Sequence, residues 1–333
     1  MKEQKKKTVF SGIRPTGPAH LGNYAGAMRN WVRLQDKYKC FYSIVTWHAL
    51  SSEYQNSKVI KEYTLEMAID LLSVGLDPEK CVLFVQSDVK EHAELHLLLS
   101  MITPLPWVER VPTFKDMQKE LADRDINTYG YLGYPVLQTA DIILYKAEIV
   151  PVGEDQAAHL ELAREITRRF NRLFGDVFPE PQILLTETPR LAGTDGRKMS
   201  KSFGNAIYLK DRPEVIRAKI APMITDTRRK RRSDPGEPND CPAFTLHNAF
   251  VEKDRREELA RACRTAGIGC LECKKVVIDS LIRLFESYRQ KRSKLERDPD
   301  SVWGILEQGN TRARKAAQKT MEAVRAAIGM GKE

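Results

Sequence analysis

The sequence predicts an α/β fold: a Rossmann-like domain on a parallel sheet, followed by a helical half. Three observations carry this. Short apolar, β-branched runs alternate with amphipathic helical stretches through the first half of the chain. A Pro/Gly turn joins the first such run to the first helix. Strand-like alternation disappears after about Asp211. Strands separated by helical patterns argue for βαβ units, whose ligands sit at the carboxyl ends of the strands.

Taken in order, Thr8–Ser11 reads as a strand running into the turn Arg14-Pro15-Thr16-Gly17-Pro18. A helix follows, with Tyr24, Met28, Trp31 and Leu34 stepping by three or four. Cys40–Val45 is a second strand. From about Lys58 to Val74, Ile60, Tyr63, Met67, Leu71 and Val74 mark one helix face, with Gly75 as its cap and Asp77-Pro78 as a turn. Cys81–Gln86 is a third, buried strand, and Asp155–Asn171 is helical. The turn Gly193-Thr194-Asp195-Gly196 leads into Arg197-Lys198-Met199-Ser200-Lys201-Ser202. Beyond it lie a basic run, Arg228–Arg232, a loop, Ser233–Pro242, and a charged helical stretch, Glu252–Met330.

Composition bounds the function. A chain of 333 residues suits two domains. With 42% hydrophobic residues there is ample material for a core, which excludes intrinsic disorder. The longest apolar runs, such as Cys81–Val85 and Ala140–Tyr145, fall far short of the ~20 residues of a membrane span. Basic Met1–Lys7 leads straight into Thr8-Val9-Phe10 with no apolar signal region, so the expected location is cytoplasmic. Fifty-four Lys and Arg against 45 Asp and Glu leave a net charge of +9, and four of the six cysteines fall between Cys241 and Cys273.

Two segments carry phosphate chemistry. In Gly17-Pro18-Ala19-His20-Leu21-Gly22-Asn23 a glycine lets a phosphate or adenine approach the backbone, the helix start supplies free N–H groups, and His20 can donate to a phosphate oxygen. In Lys198–Ser202 two lysines three apart, with hydroxyls between them, can contact successive phosphate oxygens. Each alone fits an ordinary turn or a solvated loop. Together, about 180 residues apart on an α/β background, they resemble the paired signature of class I aminoacyl-tRNA synthetases. Phe10–Gly17, Tyr134–Tyr145 and Ile149–Gln156 with His159–Leu162 are similar to tryptophanyl-tRNA synthetases, and the likeness runs to Asn310–Arg314 and Ala323–Gly329.

That resemblance implies a domain boundary just after the lysine-rich loop: a catalytic domain over 1–205, and over 206–333 a helical anticodon-binding domain whose last helix packs back on the first. It implies ATP-dependent activation of L-tryptophan and its transfer to tRNA(Trp), with Mg2+, by a homodimer. His20, Asn23, Lys198, Ser200, Lys201 and Ser202 would be catalytic. Arg14, Pro15, Thr16, Gly22, Asn23, Gly153, Glu154, Asp155 and Lys198–Ser202, Met199 included, would bind ATP. Phe10, Gly12, His48, Tyr134, Gln138, Asp141, Val150, Val152 and Gln156 would bind tryptophan, with Asp141 accepting from the donor-only indole N–H. Three departures concern the pocket: Gln138 stands where many bacterial members have Met, Thr46-Trp47 stands for Asp-Gln before His48, and Arg14 replaces a common glutamine.

Cys241, Cys263, Cys270 and Cys273 are separated by 21, six and two residues. Four thiolates suit structural zinc or a [4Fe–4S] cluster. A bacterial subgroup of the same family carries such a cluster on a first gap one residue longer, and Ile268–Lys275 resembles it, which favours iron–sulfur. Cys40 and Cys81 read as core residues. Arg228–Arg232, Lys274-Lys275 and Arg289–Lys294 are expected to face tRNA phosphates. Rival readings are a tyrosyl-tRNA synthetase, a non-tRNA adenylyltransferase of the same superfamily, and an RNA-binding redox sensor with a relict synthetase domain.

Overall fold

A computed structural model describes residues 6–111, 128–153, 156–185 and 190–331. Its centre is a five-stranded sheet, parallel throughout, made of β1 (Thr8–Ile13), β2 (Lys39–Ile44), β3 (Cys81–Val85), β4 (Ile149–Val152) and β5 (Gln182–Leu185), in the order β3-β2-β1-β4-β5. The order reverses between β1 and β4, and the crevice beyond that switch point is where such sheets bind ligands.

Strand periodicity divides the core into two. Val9, Tyr42, Ile44, Leu83 and Val85 face one way, and Phe10, Phe41, Val82 and Phe84 the other. Both faces are covered, so β2 and β3 read as unbroken apolar runs rather than alternating ones. On the first face lie α1 (Leu21–Asn23), a π-turn over Tyr24–Met28, α2 (Arg29–Leu34), and the long α4 (Val59–Ser73), which follows α3 (Thr46–Glu53). On the second lie α5 (Glu91–Ile102) and, beyond α6 (Leu105–Glu109) and α7 (Tyr129–Leu132), α8 (Tyr134–Leu144) and α9 (Ala157–Phe174).

The C-terminal half is helical: α10 (Pro213–Ile220), α11 (Phe244–Phe250), α12 (Lys253–Arg264), α13 (Cys270–Leu284), α14 (Glu286–Leu295) and α15 (Pro299–Ala327). Leu246, Val277 and Leu281 join the same core as Val9 and Met67, so the two halves share apolar packing. Helix α15 lies along β3, the edge of the sheet. Asn310 Oδ1 accepts from the Val85 N–H at 2.8 Å, occupying a donor that an edge strand leaves open. Arg325 pairs with Glu94 of α5 at 2.6 Å.

The helix expected after the Gly17 turn is interrupted by the π-turn, and the third strand stops at Val85, leaving Gln86 to open a 3-10 turn. Periodicity does not register β4 and β5: each is four residues long, and Pro151 sits in the first. The expected helix start at Asp155 lies outside the described residues. No helix among the described residues is long and apolar enough to cross a membrane.

Candidate functional site

A cavity of roughly 350 Å³ opens at the carboxyl ends of β1 and β4. Phe10, Gly12 and Arg14 come from β1 and its turn, Val150, Val152 and Gly153 from β4, and Tyr134, Gln138 and Asp141 from α8. On a helix, positions 134, 138 and 141 fall on one face, which is why one stretch supplies all three. Phe10 is fixed by stacking on Tyr145, centroids 5.6 Å apart. Gly12 allows close strand contact: a Cβ there would meet a Val45 methyl at 2.7 Å.

Asp141 is the charged floor of this cavity. Its carboxylate receives His92 Nδ1 at 2.7 Å, His48 Nε2 at 3.0 Å and Gln86 Nε2 at 2.7 and 2.8 Å. Burial alone would raise its pKa, but His92 and His48 outweigh burial and hold it down to about 2. A carboxylate offers about four acceptor sites. The four contacts here use them, so a further donor from the cavity must share an oxygen with one of these groups or take its place. Thr46 and Trp47 sit behind this arrangement: Thr46 Oγ1 accepts from Ser87 N–H at 3.1 Å, and Trp47 N–H donates to Gln86 Oε1 at 3.0 Å. The unusual pair thus pins the turn that aims Gln86.

The phosphate-type turn is built around His20. Its Nδ1 accepts from the backbone of Gly22 at 3.0 Å and of Asn23 at 3.4 Å, and Asn23 Oδ1 returns a bond to His20 N–H at 3.1 Å. Burial, then the charge of Lys201, hold the His20 pKa down to about 4. A neutral ring whose Nδ1 accepts must carry its proton on Nε2, so His20 presents a donor beyond the turn.

The Lys198–Ser202 loop is zipped to that turn. Leu21 N–H donates to Ile207 O, and Leu209 N–H to Ala19 O, both at 2.9 Å. Lys201 Nζ donates to Gly17 O at 2.8 Å and to Thr16 Oγ1 at 3.4 Å, and Ser200 and Ser202 hydroxyls lie 2.8 Å apart. Buried Asn205 staples the loop from within. It accepts from Ser200 N–H at 2.8 Å and donates to Asp195 at 2.7 Å and to Lys198 O at 3.1 Å.

All nine residues expected to bind tryptophan line the cavity, and so do Arg14 and Gly153 of the ATP set. Pro15, Thr16, Gly22, Asn23 and Lys198–Ser202 lie on the adjoining turn and loop. Glu154 and Asp155 fall outside the described residues. Met199 differs from expectation: its side chain is buried in the first core and its N–H bonds Leu191 O, so it anchors the loop rather than facing a nucleotide. Sequence reasoning did not single out Gln86, His92, Tyr145, Asp70 or Asn205. Tyr145 ends the Tyr134–Tyr145 stretch with no role implied for it there; the other four are lone polar residues inside apolar or loop stretches, with no motif around them.

The basic face needs correcting. Arg292 is buried against Asp70 and Glu66, and Lys274 is buried and bonds the carbonyls of Ala221 and Met223. Arg228 pairs with Asp226 and Asp240, and Arg232 with Glu272. Arg292 and Lys274 are thereby occupied inside the fold, whereas Arg228 and Arg232 stay on the surface in their pairs. Lys230, Arg231, Lys275, Lys291 and Lys294 remain exposed.

The four clustered cysteines are near enough to act on one another electrostatically. Burial, then Cys241, Cys263 and Cys270, push the Cys273 thiol up to about 12. Cys241 is raised by burial and by Cys270, and Cys263 by burial and by Cys241 and Cys270. Among the described residues, no three His, Cys, Asp or Glu side chains converge as ligands of one metal ion.

Comparison with known proteins follows the same lines. The family described as tRNA synthetases class I (W and Y) matches residues 1–286. A tryptophan–tRNA ligase of Thermotoga maritima is 48% identical over 324 residues, 97% of this chain and 99% of that one. One from Deinococcus radiodurans is 42% identical over 326 residues, 96% and 98% of the two chains. Among solved structures, Campylobacter jejuni tryptophanyl-tRNA synthetase complexed with ADP and tryptophan superposes with a TM-score of 0.84 at 35% identity, covering 97% of this chain and 99% of that one. A tyrosyl-tRNA synthetase from Archaeoglobus fulgidus, complexed with L-tyrosine, reaches 0.68 at 24% identity, covering 87% and 91%, a likeness of fold alone.

Proposed function

The chain belongs to the class I family of tryptophanyl- and tyrosyl-tRNA synthetases and its activity is that of a tryptophan–tRNA ligase; we propose that the β1/β4 cavity holds the tryptophan while the His20 turn and the Lys198–Ser202 loop hold ATP. The observation that carries this is the ionised Asp141 at the floor of a largely apolar cavity, with His48 beside it in the same lining. Indole is donor-only, so it can bond this carboxylate, whereas phenylalanine offers it no donor.

The substrate carboxylate attacks the α-phosphate of Mg-ATP, giving tryptophanyl-adenylate and pyrophosphate. The terminal ribose of tRNA(Trp) then takes the aminoacyl group. No protein nucleophile is needed, since the chain supplies position and charge. His20 Nε2–H donates to a phosphate oxygen, Asn23 holds the ring, and Lys198, Lys201 and the Ser200 and Ser202 hydroxyls receive the leaving pyrophosphate. Gln156 contacts the amino group or carboxylate of the substrate, and Gly153 lies against the ribose. Pyrophosphate exchange with tryptophan and with tyrosine tests the substrate directly. Exchange driven by tyrosine would overturn the cavity assignment.

The same reading divides the chain at about residue 205 and gives 206–333 to tRNA binding. A second copy docks on the side where Leu97 and Met101 of α5 and Leu105 of α6 are exposed at 55%, 70% and 56%. Sedimentation that shows a monomer at micromolar concentration would exclude the dimer.

Cys241, Cys263, Cys270 and Cys273 would hold a [4Fe–4S] cluster. What supports this reading is four cysteines on the 226–241 loop, α12 and α13, since in a multi-iron centre each thiolate binds a different metal atom. When bound, the group would crosslink the 226–241 loop to α12 and α13. Anaerobic purification with visible absorbance, iron and sulfide analysis tests this, and a colourless protein with one zinc per chain would reverse it.

A further inference from the structure

Buried at the boundary of the two halves lies a polar cluster that the sequence gives no hint of. Asp70, on α4 and 1% exposed, directs Oδ2 at the backbone N–H of Ala19, 2.7 Å away. Ala19 immediately precedes His20. The other oxygen, Oδ1, receives the hydroxyl of Tyr288 at 2.5 Å and the guanidinium of Arg292. Both residues lie on α14, in the helical half, and are 2% and 3% exposed. Arg292 also bonds Glu66, one turn back on α4, and Glu296, each at 2.8 Å. Glu66 in turn holds Lys210 at 2.8 Å, just beyond the Lys198–Ser202 loop.

Every partner of Asp70 is a donor: a backbone N–H, a hydroxyl and a guanidinium. They fit the ionised carboxylate and fix both of its oxygens at once. The Ala19–Leu21 backbone is therefore gripped from two sides, by residues 207–209 and by Asp70. The first grip comes from the segment just past the Lys198–Ser202 loop; only the second draws on the helices of the C-terminal half. A buried ion pair of this kind contributes little net stability over an apolar pair of the same shape, so its use is better sought in what it orients.

We propose that Tyr288 and Arg292 are positioning residues for adenylate formation: through Asp70 they set the place of the Ala19–His20 backbone, and thereby couple the helical half to the phosphate-binding turn. Neither touches substrate. Their influence falls on the step that needs His20 against a phosphate more than on the floor of the tryptophan cavity, where His48, Tyr134, Gln138 and Asp141 come from α3 and α8. The proposal rests on the reading that the His20 turn faces ATP, so the experiment carries a control for that reading.

The experiment is tryptophan-dependent pyrophosphate exchange on the full chain, with KM for tryptophan and for ATP measured separately. Tyr288→Phe removes one donor while keeping the ring. Its kcat should fall three- to tenfold, with the tryptophan KM within twofold. Arg292→Lys keeps the charge but loses the fork and should fall by a similar factor. Arg292→Met strands a buried carboxylate and risks misfolding, so Asp70→Asn/Arg292→Met is made beside it, neutral and still able to accept from Ala19. That double variant should keep its circular dichroism and its tryptophan affinity yet remain at least tenfold slow. Wild-type kcat in the folded double variant would mean that the cluster only balances charge, and overturns the proposal. So would tryptophan affinity lost in step with activity. His20→Gln is the control: if it leaves exchange unchanged, the reading of the turn fails; if it abolishes exchange while Tyr288→Phe and Arg292→Lys stay within twofold of wild type, the coupling alone fails.

Discussion

His92 Nδ1 lies 2.7 Å from Asp141 Oδ1, while the other ring nitrogen lies 2.7 Å from the Tyr145 hydroxyl, in a position where His92 is 0% exposed. The imidazole thus joins the charged floor of the cavity to the aromatic stack of Phe10, Phe41 and Tyr145 behind it. In the reading proposed above, the carboxylate that meets the indole is held from behind the cavity by His92 and Gln86 and from within it by His48.

His92→Phe is the first prediction. The ring fits between Phe84 and Tyr145, but a buried donor to Asp141 is lost. Removing one donor from a buried carboxylate typically costs about 1–3 kcal/mol of stability. The KM for tryptophan should rise about tenfold or more, because the carboxylate no longer holds its ionisation or its aim. Thermal unfolding and exchange kinetics check both parts. A tryptophan KM within twofold in the folded variant would count against this role.

Lys201 gives a pH prediction. Burial first, then Arg14 and Lys210, bring its pKa down to about 8, against opposing pulls from Asp70 and Glu66. The ammonium is therefore charged below about pH 8 and neutral above it. The value of kcat/KM for ATP, which reports the free enzyme, should fall as pH passes that point. In Lys201→Arg the guanidinium stays charged, and the alkaline limb due to Lys201 should disappear from the accessible pH range. Stability runs the other way. The unfolded lysine titrates at 10.5, so the folded state binds fewer protons between about 8 and 10.5, and stability rises with pH across that window. Lys201→Ala should slow adenylate formation far more than it weakens tryptophan binding. An unchanged turnover number would remove Lys201 from the mechanism.

Gly22→Ala tests the His20 turn. A Cβ at this position would lie 2.8 Å from His20 Cε1 and 2.9 Å from Nδ1. The ring must leave its cap, and Nε2–H loses its direction. Exchange turnover should drop about a hundredfold, in the range of one lost proton-donating contact, with about 1 kcal/mol lost from the cap. Tryptophan binding, followed by equilibrium dialysis, should be unchanged. A proportional loss of tryptophan affinity would place the damage elsewhere.

The sheet's first three strands were legible because each is a local apolar run, Cys40–Val45 among them; the pocket's residues were named only through the family resemblance, and the face of α8 that Tyr134, Gln138 and Asp141 share appears in the fold. The phosphate loop was legible because its chemistry is contiguous in sequence. What was not legible is pairing across distance. Arg292 looks like any lysine- or arginine-rich helix residue until α14 is laid on α4, and only then does it meet Asp70, 222 positions away in the chain. Lys274 was misjudged for the same reason. Thr46-Trp47 read as a departure from a motif, and its use appears only with the Gln86 turn beside it. Charge in sequence counts partners that folding later consumes.

Exposed bases give a salt-dependent prediction. Lys230, Arg231 and Lys275 are solvent-facing in the helical half, unlike Arg292 and Lys274. Replacing any one of the three by Ala should weaken tRNA binding and reduce the slope of log affinity against log salt by roughly one unit. Filter binding between low and moderate salt reads this directly. Three variants with an unaltered slope would move the RNA to another face.

Gly309→Ala asks what docks α15 on the sheet. A Cβ there would stand 1.7 Å from the carbonyl oxygen of Leu83 and 2.8 Å from its carbon. Neither neighbour is a flexible side chain, so relief requires the helix or the strand to move. Next to it, Asn310 bonds the Val85 N–H at 2.8 Å and Asp88 at 2.8 Å. A shift of α15 that frees the methyl also stretches those bonds. Overpacking alone costs about 1–3 kcal/mol, and losing buried hydrogen bonds adds about 1 kcal/mol each. The variant should therefore lose about 3 kcal/mol or more in denaturant unfolding. Because Val85 leads into Gln86, and Gln86 into Asp141, its KM for tryptophan should rise as well. A stable variant with an unchanged tryptophan KM would show that β3 tolerates the displacement and that α15 does not reach the cavity.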